Sequence, residues 1–268
     1  MSLRITHNVE ALNSYNSLSK TSSAISKSMQ RLSSGYRINS AADDAAGLGI
    51  SESMRSQIRG LGQAQKNIQD GASMVQTAEG NLDEVHSMLQ RVRELAVQYK
   101  NGSLDDTART SIQNEVNQLA SEISRIGSSA QFNGINLLNS SSTVSFQVGA
   151  NDGQQIGVSL VDLASTVGTS YATLSTSGTT DISEIDAAIT AVSTARADFG
   201  AVQNRLDHSL SVAASYQENL TSAESRIRDV DMADEMVALT KNQILSQAGT
   251  AMLSQANQAP QSVLRLLG

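Results

Sequence analysis

A strict seven-residue repeat of apolar side chains in the first half of the chain is the feature that most restricts the possible folds. Smaller apolar residues such as Ala64, Ala78 and Val85 fill the flanking core positions. A heptad repeat of this length predicts a left-handed coiled-coil seam. A helix from Ala42 to Tyr99 would be on the order of 90 Å long at about 1.5 Å per residue, which suits a rod better than a compact enzyme. The repeat consists of Met54, Leu61, Ile68, Val75, Leu82, Leu89 and Ala96.

Helical periodicity also covers most of the remaining sequence. The first helix is expected to end near Leu32, where glycine and small polar residues interrupt the pattern. A third, amphipathic helix is expected over about 105–127, with Ser103 and Asp106 forming a capping box at its start. Apolar residues at helical spacing return near Ile185 and continue almost to the final glycine. The single proline leaves nearly all of these segments free to be helical.

Residues 139–182 lack the helical periodicity of the rest of the chain and have a strand-like composition instead. The stretches "TVSFQVG" and "QQIGVSLVDL" are rich in β-branched residues, and the Asp152-Gly153 pair between them favours a tight hairpin turn. The rest of the segment is a loop rich in Ser, Thr and Gly. The predicted fold is therefore mainly α: a long α-helical coiled-coil hairpin rod with its N- and C-terminal helices paired and a small β-hairpin region in the middle.

Composition and charge exclude several functional classes. The net charge is −7 and no run of Lys or Arg occurs, so nucleic acid is not an expected partner. The chain has no cysteine, and its three histidines are far apart, so we predict no metal site, no cofactor and no catalytic residues. No apolar run reaches the length of a membrane span, and no secretory signal peptide is expected at the start.

The terminal helices carry more apolar surface than one partner helix can cover. From Asn242 to Leu264 there is no charged side chain, yet apolar residues recur at helical spacing. Exposed apolar surface of this extent favours association, and crowding many copies together explains the lack of charge. We therefore predict self-assembly through the terminal helices. The predicted interface consists of Val9, Leu12, Leu18, Ile25, Met29, Leu32, Val237, Ile244, Leu245, Ala251, Met252, Leu253, Val263, Leu264 and Leu267.

Several long motifs in both halves resemble the bacterial flagellin family. They are "RLSSGYRINSAADDAAGLGISESMRSQIRGL" (31–61), "LQRVRELAVQ" (89–98), "FNGINLL" (132–138), "AVQNRLDHSL" (201–210) and the segment 225–267. The resemblance implies a structural subunit that polymerises into the helical flagellar filament for swimming motility. The middle of the chain departs from family members with large variable outer domains, so a short form is expected.

The resemblance also implies a domain organisation. The terminal helices, 1–44 and 229–268, would form the inner tube of the filament. The long helices, 45–138 and 183–228, would form the outer tube, and 139–182 would be a β-hairpin and a short variable loop within it. From composition alone, the loop over 165–180, which is rich in Ser and Thr, is a candidate surface for O-linked modification if it faces solvent.

Partners and location follow from the family as well. The resemblance implies export of the unfolded chain by the flagellar type III apparatus and a location in the extracellular filament. Its partners would be other copies of itself, an export chaperone, the filament cap and the hook–filament junction proteins. The family is sensed by a host Toll-like receptor, and its recognition motif corresponds to Arg91, Leu95 and Glu115. The alternatives are a hook–filament junction protein, which caps a short ring, and a soluble coiled-coil adaptor.

Overall fold

The computed structural model describes residues 8–168, 170–176 and 181–267, with the backbone alone described for 170 and 259–267. The chain divides into two compact units. Unit 1 comprises Met1–Ser56 and Leu220–Gly268, and unit 2 comprises Gln57–Asn219. In chain order the elements are α1 (Val9–Ser34), α2 (Ala45–Tyr99), α3 (Asp106–Ser129), β1 (Gln131–Phe132), β2 (Ile135–Asn136), β3 (Thr143–Gln147), β4 (Gln155–Ser159), α4 (Leu163–Val167), a 3-10 turn (Ser170–Ala172), α5 (Asp181–Arg228) and α6 (Met232–Leu267).

The heptad repeat of α2 forms the core of unit 2, as its spacing predicts. From Leu61 to Ala96 every repeat position is buried, and Val75, Leu82 and Leu89 have no exposed surface. The facing helices contribute their own periodic residues, among them Val116 of α3 and Leu206 of α5. The mainly helical fold with small antiparallel hairpins is therefore confirmed.

Ion pairs at the edges of this core join α3 and α5 to α2. Arg196 of α5 contacts Glu79 at 2.9 Å and Asp83 at 2.8 Å, so one guanidinium spans a full turn of α2. Arg93 of α2 contacts Asp186 of α5 at 2.6 Å. The pairs are partly exposed and each contributes little to stability, but their geometry fixes the register of neighbouring helices.

Two local expectations need correction. The helix α3 is capped by Asp105, whose carboxylate accepts a hydrogen bond from the Ala108 amide at 2.8 Å, and not by Ser103. An ionised carboxylate is the stronger acceptor for the free amides of a first turn. The connection between β3 and β4 is longer than a two-residue turn and runs over 148–154; within the Asp-Gly pair only Gly153 has positive φ, 81°.

The β3–β4 hairpin lies against α2 at a glycine. An added Cβ on Gly71 would lie 3.2 Å from the ring of Phe146. Nearby, the side-chain amide of Asn67 donates to the Gln147 carbonyl at 3.2 Å. The opposite strand turns Ile156 and Val158 inward. A side chain at position 71 would push the hairpin away from the helix, so the missing side chain permits this packing.

In unit 1 the helices α1 and α6 pair antiparallel along their length. At one end of the pair, the Arg31 guanidinium lies 3.5 Å from the Glu235 carboxylate. At the other end, the side-chain amide of Asn8 donates to the Ala256 carbonyl at 2.8 Å. Between them, Leu18 packs over Gly249, where an added Cβ would lie 3.3 Å from the leucine Cδ1. The predicted pairing of the terminal helices is therefore confirmed.

A clasp of residues 35–37, 52 and 227–230 connects the segments that follow α1 and α5. The Arg37 amide donates to the Arg228 carbonyl at 2.7 Å, and the Val230 amide donates to the Gly35 carbonyl at 3.0 Å. The Arg228 guanidinium lies 4.9 Å from the centre of the Tyr36 ring and donates to Glu52 at 2.5 Å. Gly35 adopts φ of 75°, which favours glycine. The clasp holds the end of α1 next to the start of α6.

We expect Arg228→Ala to destabilise unit 1 by about 2 kcal/mol, because it removes a charge-assisted hydrogen bond and a cation–π contact from a site where the side chain is 12% exposed. Amide hydrogen exchange should speed up across α1 and the first turns of α6. The matched control is Arg226→Ala, which removes an exposed arginine two residues away. Equal protection of α1 in both variants would contradict the role of the clasp.

Candidate self-assembly surface

The contact between α1 and α6 is built mostly from small and polar side chains. The least exposed positions of each helix repeat at intervals of three and four residues, and we call these two rows the inner seam. Ser28 of α1 and Leu239 of α6 are its most buried members, at 5% and 6% exposure. The inner seam consists of Ala11, Ser14, Leu18, Thr21, Ile25, Ser28 and Leu32 on α1 and of Glu235, Leu239, Asn242, Ser246, Gly249, Leu253 and Ala256 on α6.

Large apolar side chains of the same two helices point outward. Among the described residues, fifteen large hydrophobic side chains are exposed, and four of them belong to α1 and six to α6. Val237 is the most exposed, at 70%. Complete burial of one such side chain is worth about 1.5–3 kcal/mol, so covering the remaining exposed half of ten gives on the order of 10 kcal/mol. The ten are Val9, Leu12, Tyr15, Met29, Met232, Met236, Val237, Ile244, Leu245 and Met252.

The structure separates the predicted interface residues into two sets. Exposed residues in α1 and α6 form the first set, which is Val9, Leu12, Met29, Val237, Ile244, Leu245, Ala251 and Met252. Half-buried residues of the inner seam form the second, which is Leu18, Ile25, Leu32 and Leu253. The side chains of Val263, Leu264 and Leu267 lie outside the described residues. The second set stabilises the α1–α6 pair itself, and the first set is available to a partner.

A groove on α6 forms part of this surface. Its volume is about 500 Å³, and it is lined by Met236, Val237, Thr240, Lys241, Ile244 and Leu245. Lys241 carries the only charge from 236 to 258. The groove lies on the side of α6 opposite the inner seam, since Val237 and Ile244 are each two residues from a seam position. It is therefore open to another molecule.

Three exposed residues of this surface, Tyr15, Met232 and Met236, were not among those predicted from the sequence. Tyr15 lies three residues after Leu12 on the same side of α1, and Met236 lies beside Val237 at the groove. The signal that could have found them is the spacing of three and four residues, applied to the large side chains that the inner seam leaves out.

A separate constellation in unit 2 contains the residues of the predicted receptor motif. Arg91 of α2 donates from Nε at 3.0 Å and from Nη2 at 2.9 Å to one carboxylate oxygen of Glu115 on α3, and from Nη1 to Glu94 at 3.0 Å. These hydrogen bonds, to Glu115 first and then to Glu94, raise the pKa of the Arg91 guanidinium. Leu95 is 2% exposed and belongs to the core. The structure therefore brings Arg91 and Glu115 together at the surface.

The described residues offer no site for metal chemistry. Across 8–168, 170–176 and 181–267, no group of three or more His, Cys, Asp and Glu side chains could hold an ion. None of the helices in these ranges has the length and apolarity that a membrane span requires.

The terminal helices pair with each other and leave their large apolar side chains exposed. These are the features expected of a subunit that associates with other copies of itself. The family model for the bacterial flagellin N-terminal helical region matches residues 5–143, and the model for the C-terminal helical region matches residues 182–267. The chain belongs to the bacterial flagellin family. It is a structural subunit of a flagellar filament and not an enzyme.

Individual relatives are similar in sequence to this chain over almost its full length. The flagellin of Bacillus subtilis (strain 168) is 49% identical and is matched over 99% of this chain and 100% of the relative. The flagellin of Halalkalibacterium halodurans is 51% identical, over 98% and 99%. Among solved structures, the crystal structure of Bacillus cereus flagellin superposes with a TM-score of 0.51 at 30% identity and covers 55% of this chain and 88% of that one.

Proposed function

We propose that the exposed apolar side chains of α1 and α6 drive the polymerisation of this subunit. The observation that carries the proposal is that ten of the fifteen exposed large hydrophobic side chains among the described residues lie on these two helices. Association costs several kcal/mol of lost freedom, and apolar burial on the order of 10 kcal/mol per copy exceeds that cost when each subunit has several neighbours.

The direct test is the appearance of filaments. Purified chain, concentrated and salted out, should form long filaments by electron microscopy. A chain that forms only short rings or caps would favour the hook–filament junction protein, and a chain that forms neither would favour the soluble adaptor. Short rings or dispersed protein would overturn the proposal.

We also propose that 1–44 and 229–268 form the inner tube of the filament and that 45–138 and 183–228 form the outer tube. The segment 139–182 would be the short variable part of the outer tube. The division of the chain into two compact units near Ser56 and Leu220 supports this arrangement, as does the concentration of apolar surface in the first unit. A reconstruction of the filament should place α6 nearest its axis.

The proposed role as a filament subunit also implies partners for export and assembly. We infer that the unfolded chain leaves the cell through the flagellar type III apparatus, bound beforehand by an export chaperone. The extracellular filament would then grow beneath a cap, starting from the hook–filament junction proteins. Membership of the flagellin family supports these roles. Loss of secretion in a strain that lacks the flagellar export apparatus, with normal synthesis of the chain, is the expected result.

We further propose that the monomer is recognised by the host Toll-like receptor through Arg91 and Glu115, with Leu95 fixing the helix beneath them. Their position at the surface, paired across α2 and α3, supports this role. Arg91→Ala should reduce the potency of purified monomer on receptor-reporter cells roughly tenfold or more, as expected when an interfacial arginine is a hot spot.

The matched control is Arg93→Ala. Arg93 lies two residues away, has similar exposure, and pairs with Asp186 of α5 instead. Equal losses of potency in the two variants, or no response to the unsubstituted chain, would contradict recognition through Arg91.

A further inference from the structure

Unit 2 contains a cavity between the second half of α3 and the short helix α4. Its volume is about 130 Å³, and the segment after β2 and Tyr171 of the 3-10 turn contribute to its remaining sides. All of the described residues that line it belong to unit 2, whereas the surface that we propose for polymerisation belongs to α1 and α6. The cavity is therefore a separate feature of the chain.

The walls of the cavity are held in place by contacts within the chain. The carboxylate of Asp162 caps α4 by accepting a hydrogen bond from the Ala164 amide at 3.2 Å. The Leu163 amide donates to the Leu138 carbonyl at 3.0 Å, which joins α4 to the segment after β2. An added Cβ on Gly127 would lie 3.3 Å from Leu163 Cδ2, so α4 approaches α3 where α3 has no side chain. A site that is already formed binds without a large cost of rearrangement.

The floor of the cavity is apolar and fits one six-membered ring. We define the floor by Ile123, Leu138 and Leu163, each of which is almost completely buried. A cavity of about 150 Å³ that is lined by such side chains stays dry and holds one benzene molecule. At about 130 Å³, this cavity therefore offers room for an apolar body of about six non-hydrogen atoms.

The lining of the cavity also contains uncharged polar side chains. The Ser128 hydroxyl donates to the Arg125 carbonyl at 2.9 Å. The side chains of Ser124, Asn139 and Tyr171 have no hydrogen-bond partner among the described residues. Tyr171 is 6% exposed, and burial raises the pKa of its hydroxyl. No charged side chain lines the cavity in the described part of the chain, so an ion would lose its hydration without compensation. The lining therefore favours an uncharged ligand with one polar end.

We propose that this cavity binds a small phenol, which is a single aromatic ring with a hydroxyl group and no charge. The ring occupies the floor, and the hydroxyl donates and accepts hydrogen bonds at Ser124, Asn139 and Tyr171. A rigid ring loses little conformational freedom on binding. A second ring would exceed the volume, and a carboxylate or ammonium group would be buried without a partner. The proposal goes beyond the role in filaments and does not depend on it.

Phenol itself is the probe, and the full-length chain is used below the concentration at which it assembles. Saturation-transfer NMR of the ligand should show saturable binding with Kd on the order of 1 mM or tighter, as expected for so small a molecule. Amide hydrogen exchange should slow in α4 and in the second half of α3 when phenol is present. Benzoate, which has the same ring and a negative charge, should bind at least tenfold more weakly.

Two variants locate the site. Ser124→Leu removes a hydroxyl and adds a branched side chain to the lining, so it should weaken phenol binding at least tenfold. Its matched control is Ser121→Leu, which changes an equally exposed serine of α3 outside the lining and should leave binding unaltered. Tyr171→Phe keeps the ring and removes the hydroxyl. It should weaken phenol binding about three- to tenfold and leave the affinity for benzene, which has no hydroxyl, unchanged.

The proposal is wrong if phenol shows no saturable binding in the millimolar range, or if Ser124→Leu and Ser121→Leu bind it equally well. Unchanged phenol affinity in Tyr171→Phe, or benzoate binding as tight as that of phenol, would show that the polar lining does not select the ligand and would overturn the stated ligand class. Each of these results is measured on the unassembled chain and leaves the proposed function standing. Absence of filaments from the unsubstituted chain would instead contradict the proposed function alone.

Discussion

Ile244→Asp abolishes filament formation at concentrations where the unsubstituted chain polymerises. Ile244 is 60% exposed in the subunit and lines the α6 groove, so the substitution places a carboxylate, three residues from Lys241, in every buried contact. Burial of the carboxylate costs more in lost hydration than its attraction to Lys241 returns, and the apolar contact of Ile244 is lost as well. Together these losses cost on the order of 3 kcal/mol, which raises the critical concentration roughly a hundredfold. The measurement is the protein that remains in the supernatant after assembly and sedimentation.

The subunit itself should tolerate the substitution. Substitution of an exposed surface side chain usually changes the free energy of unfolding by about 0.5 kcal/mol or less, so thermal unfolding should be unaltered. Gln243→Asp is the control, because it introduces the same charge on an exposed neighbour that does not line the groove. If Ile244→Asp polymerises at the same critical concentration as the unsubstituted chain, the groove is not part of the contact between subunits. The same conclusion follows if Gln243→Asp raises the critical concentration as much as Ile244→Asp does.

The regular core of unit 2 could be predicted from the sequence because one pattern determined it. The repeat from Met54 to Ala96 combines a single period with side chains that have no polar alternative. Its burial from Leu61 onward follows from those two facts.

Unit 1 could not be predicted to the same depth, because its apolar residues surround the helices. Periodicity marks Val237 and Ile244 as strongly as it marks Leu239, yet only Leu239 lies in the inner seam. The close approach of Leu18 to Gly249 is one of the contacts that place the inner seam between the helices, and it leaves Val237 and Ile244 on the outside. Which stripe of a wide apolar face becomes internal depends on this tertiary contact, and the sequence of one helix does not contain it.

Local hydrogen bonds explain the smaller errors. Asp105, and not Ser103, caps α3 because the chain offers two acceptors near the same turn and the charged one is better placed. The Asp152-Gly153 pair favours a tight turn in isolation. In the structure the side-chain amide of Gln147 donates to the backbone carbonyls of Gly149 and Asn151, and these hydrogen bonds stabilise the longer connection.

Deletion of residues 249–268 abolishes polymerisation while unit 2 stays folded. The deletion removes Gly249, Leu253 and Ala256 from the inner seam, so the first half of α1 loses the helix against which it packs. It also removes Ala251 and Met252 from the exposed surface. Unit 2 contains none of these residues. The helical signal of residues 57–219 and their protection from amide exchange should be retained, and no filaments should appear at any accessible concentration.

Two different losses contribute to this result, and one variant separates them. The double substitution Ala251→Ser and Met252→Ser keeps the inner seam, so α1 and α6 stay paired, but it lowers the apolarity of the exposed surface. We expect this chain to polymerise with a higher critical concentration, between those of the unsubstituted and truncated chains. If it assembles normally while the truncated chain does not, the deletion acts by unpairing α1. If the truncated chain itself forms normal filaments, neither the pairing nor the exposed surface beyond Gly249 is required for assembly.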